Sequence, residues 1–135
     1  MDPEPLVDSQ IEDGRKLIEE LPRRGFDAAA AFWVKTYDDD RWRYYVVSPV
    51  ADTAGVTEAY GQLLPLIRAM PQPFGIDPLK VKVIGPSHPI AQEVLAILSR
   101  TPAPPGRPIR WTGISLGRVS IEGAYLYPLP ATAAS

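Results

Sequence analysis

The chain has 135 residues, 45% of them hydrophobic and 22% charged, which is the composition of one ordinary globular domain. Fourteen Lys and Arg against 16 Asp and Glu leave a net charge of −2, which counts against a dedicated duplex-binding protein with its basic footprint. With no cysteine and a single histidine, disulfides, thiolate metal centres, thiol nucleophiles and multi-histidine metal sites within one chain are excluded.

No apolar run approaches the ~20 residues needed to span a bilayer. The segment MDPEPLVDSQ is acidic and lacks the basic and apolar stretches of a signal peptide. The expectation is a cytoplasmic protein without membrane contact. Eleven of the 16 prolines fall in clusters at 3–5, 71–78, 102–108 and 128–130, which mark where elements stop, because proline blocks helix interiors and central strands. Residues 1–8 read as a flexible tail, 9–130 as a single domain and 131–135 as a second tail.

A first helix is predicted over 9–22, with Ser9 and Glu12 as a capping box. Ile11, Gly14, Ile18 and Leu21 form its apolar stripe, and Gly25 supplies a left-handed cap. A hairpin follows, with strands at 28–36 and 42–48 joined by the polar turn Tyr37–Arg41. Alternation sets Phe32 and Val34 on one face, and Ala31, Trp33 and Lys35 on the other. A second helix over 53–70, capped by Asp52 or Thr53, buries Val56, Ala59, Tyr60, Leu63 and Ile67 and carries Pro65 as a kink. A short strand at 80–84 leads into a third helix at 89–100, with Ser87 or His88 as cap and Pro89 at its first position. Strands at 109–112 and 118–127 complete the order α-β-β-α-β-α-β-β, with Gly113, Gly117 and Gly123 marking turns or a bulge. This is an α+β fold: a mixed, largely antiparallel sheet of four to five strands with about three helices on one face.

Four features could carry chemistry. Asp38, Asp39 and Asp40 offer oxygen ligands, but consecutive acids in a turn point in different directions, so no metal site is expected. Gly113-Ile114-Ser115-Leu116-Gly117 matches G-x-S-x-G literally, yet the residues after it read as a strand where a nucleophile elbow needs a helix. Ser87 and His88 sit at a helix mouth, where free N–H groups and the dipole can hold an anion. Trp33, Lys35, Arg41, Trp42, Arg43 and Tyr44 interleave rings and cations on the hairpin. Such a pattern suits a protein contact, or less readily single-stranded nucleic acid, and equally describes cross-strand pairs inside a sheet. The C-terminal strand ending Tyr125-Leu126-Tyr127-Pro128 reads as a proline-terminated sheet edge.

The segments AAFWVKTYDDDRWRYYVVSP and GRVSIEGAYLYP resemble those of small stand-alone bacterial proteins of an uncharacterised family with no assigned function. The resemblance spans most of residues 10–128 and implies a shared single-domain fold, with no catalytic residue to carry over. The expectation is a non-catalytic accessory module of a bacterial cytoplasmic system, without a cofactor. It would contact a protein, self or another subunit, through the aromatic hairpin. The alternative is a small enzyme or anion- or nucleotide-binding protein using Ser87 and His88, or a single-strand binder.

Overall fold

The computed structural model describes residues 8–36, 42–71, 74–100, 109–116 and 119–127. Helix α1 (Asp8–Arg23) leads into strands β1 (Ala30–Thr36) and β2 (Arg43–Val47). Helices α2 (Pro49–Thr53) and α3 (Val56–Arg68) and a 3-10 turn, Pro78–Lys80, precede strand β3 (Val81–Ile84). Helix α4 (Pro89–Arg100) and strands β4 (Ile109–Leu116) and β5 (Val119–Leu126) follow. One five-stranded sheet has the order β3-β2-β1-β5-β4. Every neighbouring pair is antiparallel except β2 and β3, which are parallel because helices cross over between them. The α+β class and the largely antiparallel sheet expected from the sequence are present. Of the expected tail 1–8, Asp8 is the first residue of α1, while 1–7, the tail 131–135, the turn Tyr37–Arg41 and its acids lie outside the described residues.

The helices cover both faces of the sheet, a correction to the single face expected. Ala31, Trp33, Tyr44, Val46, Val81 and Val83 pack with Leu17, Leu21, Leu63 and Ile67 from α1 and α3. Ala30, Phe32, Val34, Tyr45, Val47 and Ile84 pack with Ile90, Ala91 and Val94 from α4. The reason is in β1 and β2 themselves. Bulky side chains alternate onto both faces, so both need an apolar cover. Phe32 stacks on Tyr45 at 5.4 Å on the second face, and Trp33 meets Tyr44 edge-on at 5.1 Å on the first.

Three other boundaries differ from the sequence reading. Helix α1 starts at Asp8, so Ser9 lies within its first turn, and the Glu12 carboxylate pairs with Arg15 instead of closing a capping box. The predicted helix 53–70 begins at Val56, preceded by Gly55 instead of an Asp52 or Thr53 cap, and a separate short helix, α2, stands before it. Ser48 caps α2 through its hydroxyl, which accepts from the Val50 N–H, and the chain breaks at Gly55, with φ of 95°. Residues 113–116 extend β4 through Gly113. The bulge anticipated near Gly123 is there: Lys35 pairs with Gly123 and Thr36 with Ile121, skipping one residue of β5. The end of α1 is as expected. Gly25 takes φ of 82°, Phe26 N–H donates to the Leu21 carbonyl and Gly25 N–H to that of Pro22, a Schellman motif closed by the Leu21 and Phe26 side chains.

Helix α1 is seated by a buried hydroxyl network. The Trp33 Nε1–H donates to Tyr127 Oη at 2.9 Å, and that hydroxyl donates to the Ile11 carbonyl at 2.7 Å. Tyr44 Oη donates to the Gly14 carbonyl at 2.8 Å. Burial, with a smaller contribution from Tyr127, pushes the Tyr44 pKa well above its ordinary 10, and burial likewise raises that of Tyr127. The folded state thus favours both neutral phenols. Their contribution to stability is complete below pH 10 and declines as the pH rises beyond it. Unfolding free energies from urea titrations across this range should fall with a slope approaching about 1.4 kcal/mol per pH unit for each tyrosine. Tyr44→Phe should flatten the decline; an equally steep decline in that variant would contradict this assignment.

Candidate functional site

The aromatic hairpin is core. Trp33 and Tyr44 are 0% exposed, Lys35 is 4% and Trp42 is 8%. Arg43 is half-buried with a partner of its own, Lys35 is also partnered, and Arg41 lies outside the described residues. The expected contact or stacking patch is therefore corrected: these rings are spent on the sheet and on seating α1, where no base or partner side chain reaches them. Strand β5 is interior as well, between β1 and β4, so the expected sheet edge at Tyr125–Tyr127 is corrected too. Ser115 stands in β4 opposite Ser120, within a strand pair and not on an elbow.

The helix mouth at Ser87 and His88 is occupied by the chain itself. Asp52, at the end of α2, accepts from the Ser87 backbone N–H at 3.0 Å and from the Ser87 hydroxyl at 2.7 Å. His88 Nδ1 accepts from the Ile90 N–H at 3.1 Å, capping α4 as the sequence predicted. A carboxylate already satisfies the Ser87 donors a bound anion would use, which corrects the anion-site expectation. Gly85 makes the clasp possible, because a Cβ there would overlap the Asp52 carboxylate. Gly85→Ala should swing the exposed Asp52 side chain away and cost about 1 kcal/mol in thermal or urea unfolding, the usual loss of a cap. An unchanged stability would show that the clasp contributes nothing.

Strands β3 and β4 end the sheet, and a groove lies at β3. This strand ends the sheet, paired on one side with β2. Its Ile84 carbonyl accepts from the Ser48 N–H, so Ile84 and Lys82 turn their backbone groups toward β2. By the alternation of a strand, Val83 N–H and C=O and the Val81 C=O point the other way. Beside them is a groove of about 510 Å³ lined by all four β3 residues, by Val56, Thr57 and Tyr60 of α3, and by Tyr45 and His88. Val81 and Val83 belong to one face of the sheet, Tyr45 and Ile84 to the other. A groove reaching both must pass around the outer edge of β3, where no further strand pairs among the described residues and Val81 and Val83 are 4% and 3% exposed.

No family model, no curated protein and no solved structure matches this chain.

The walls of the groove are therefore read from their own chemistry. Val56, expected from periodicity to be core, is 55% exposed and the one large exposed hydrophobic among the described residues. Gly55 ends the approach to α3 immediately before it, so the first turn of α3 overhangs the groove without being covered. Tyr60 is held against the groove by its hydroxyl, which donates to the Pro78 carbonyl at 2.6 Å. Among the described residues no cluster of three His, Asp or Glu side chains is placed to hold a metal ion. No helix there is long and apolar enough to cross a membrane. Sequence reasoning missed this site because Val81-Lys82-Val83-Ile84 reads the same whether the strand is central or at an edge. The exposed signal, Val56, was hidden inside a plausible helical stripe.

Proposed function

We propose that this chain is a non-catalytic binding module that takes a protein partner along the outer edge of β3, the last strand of the sheet. The observation that carries the reading is the set of outward Val81 and Val83 backbone groups beside a groove walled by Val56 and Tyr60. Unpaired strand edges accept an extended segment through main-chain hydrogen bonds, while flanking pockets select its alternate side chains. Of the acids and the histidine that would mark an enzyme site, His88 lines the groove, and its Nδ1 is committed to the Ile90 N–H. A binding role for this surface thus has support that a catalytic one lacks.

Val56→Asp tests it. At an exposed position the substitution should change stability by less than about 0.5 kcal/mol. It should weaken retention of the partner by about tenfold or more, as loss of an apolar anchor does. Lys16→Ala, on the exposed face of α1, changes the net charge equally and serves as control. A protein captured from nuclease-treated lysate by the wild type and the control, but lost by Val56→Asp, is the expected result. Capture indifferent to Val56→Asp would overturn the β3 site.

A further inference from the structure

We infer that the segment received at β3 is acidic, an extended stretch alternating apolar and carboxylate side chains. The inference rests on the β3 reading and adds the chemistry of the partner. A strand laid along β3 directs successive side chains to opposite faces of the sheet. On one side they meet the overhang of α3, with Val56 and Tyr60 over the same face as Val81 and Val83. That wall takes apolar side chains. On the other side they meet Lys82, Tyr45 and His88.

Lys82 decides the charge. It is exposed, it sits in the middle of β3, and its ammonium makes no hydrogen bond or ion pair among the described residues. The arginines of α1 and its cap differ: Arg15 pairs with Glu12 and Glu19, and Arg23 and Arg24 with Glu20. His88 adds to the same side. With Nδ1 accepting from the Ile90 N–H, its ring keeps a donor at Nε2 and no free acceptor. An ammonium and an imidazole donor together favour carboxylates on that side and disfavour basic ones.

A second copy is the poorer occupant. Continuing the sheet β3 against β3 with matching faces brings two Lys82 ammoniums onto one face, and like charges across a strand pair are destabilising. A lysine on an edge is also a common guard against self-association. Lys82 therefore does two things at once: it repels a copy of its own strand and attracts an acidic one.

The test uses the whole chain and a random dodecapeptide library displayed on phage, with the bound segments then synthesised and titrated by NMR. The expected result is enrichment of segments alternating apolar with Asp or Glu, whose addition shifts the Val83 amide. Lys82→Glu should weaken such segments about tenfold and enrich basic ones instead, the size expected when a partly exposed ion pair becomes a repulsion. Enriched segments that alternate and move the Val83 amide, but are neutral or indifferent to Lys82→Glu, overturn the acidic partner and leave the β3 reading standing. Segments that bind without moving the Val83 amide, or no enrichment over the bare support, overturn both. A chain that sediments as a dimer with the Val83 amide protected puts a second copy in the groove and overturns the acidic partner.

Discussion

Trp33→Ala is expected to cost about 3–5 kcal/mol, the loss typical of truncating a fully buried aromatic side chain. The ring is 0% exposed, stands edge-on to Tyr44, and its indole N–H is bonded to Tyr127. Truncation empties the centre of the first sheet face and strips the Tyr127 hydroxyl of its donor. Against a total stability of about 5–15 kcal/mol this is a large fraction, and the thermal midpoint should fall by about 15 °C. Circular dichroism melts decide it. A variant that melts like the wild type while losing a partner would return the hairpin to the role of contact surface and displace β3 from it.

Gly14→Ala should destabilise by about 3 kcal/mol, as overpacking with disruption of a buried hydrogen-bond network does. The sign is the informative part. Helix propensity alone makes alanine better than glycine by about 1 kcal/mol in a helix interior. Here a Cβ would overlap the Tyr127 hydroxyl and come within 2.9 Å of Trp33 Nε1. The tyrosine cannot swing aside without abandoning both the Trp33 N–H and the Ile11 carbonyl. Tyr127→Phe removes the overlapping atom, so the double variant should be less damaged than the sum of the two singles. Simple additivity in urea denaturation would show that Gly14 is needed for some other reason.

Local elements were legible wherever a side-chain period and a chemical stop signal agreed. Helix α4 begins at Pro89 with His88 as cap because both residues point to the same boundary. The end of α1 is written in Gly25 in the same way. The break at Gly55 was not legible, because Val56-to-Ile67 periodicity continues through a helix that starts afresh after a left-handed glycine. The better signal was Ser48-Pro49, a cap followed by a proline suited to the first helical turn.

The site was less legible than the fold for a related reason. A row of tryptophan, tyrosine and arginine looks the same as a hot spot or as a sheet core, and what decides between them is whether a helix covers it. Helix α1 does, through contacts from Leu17 and Leu21 that no short window of the hairpin contains. Asp52 illustrates the same limit. It reads as the cap of the helix that follows, yet it lies inside α2 and its carboxylate is bonded to Ser87, 35 residues away. Edge position, likewise, belongs to strand order, and the order β3-β2-β1-β5-β4 follows from a parallel crossover that short windows do not encode.

Amide hydrogen exchange of the free chain at β3 tests most directly whether the outer edge of this strand can receive a partner. Ile84 turns its backbone groups into the sheet, while Val83, one residue earlier, turns its own toward the groove. The Val83 amide is expected to exchange about a hundredfold faster than that of Ile84, because it lacks the ladder bond that ties Ile84 to β2. Equal protection at Val83 and Ile84 would mean that the chain already covers this edge, and the proposed binding surface would not exist.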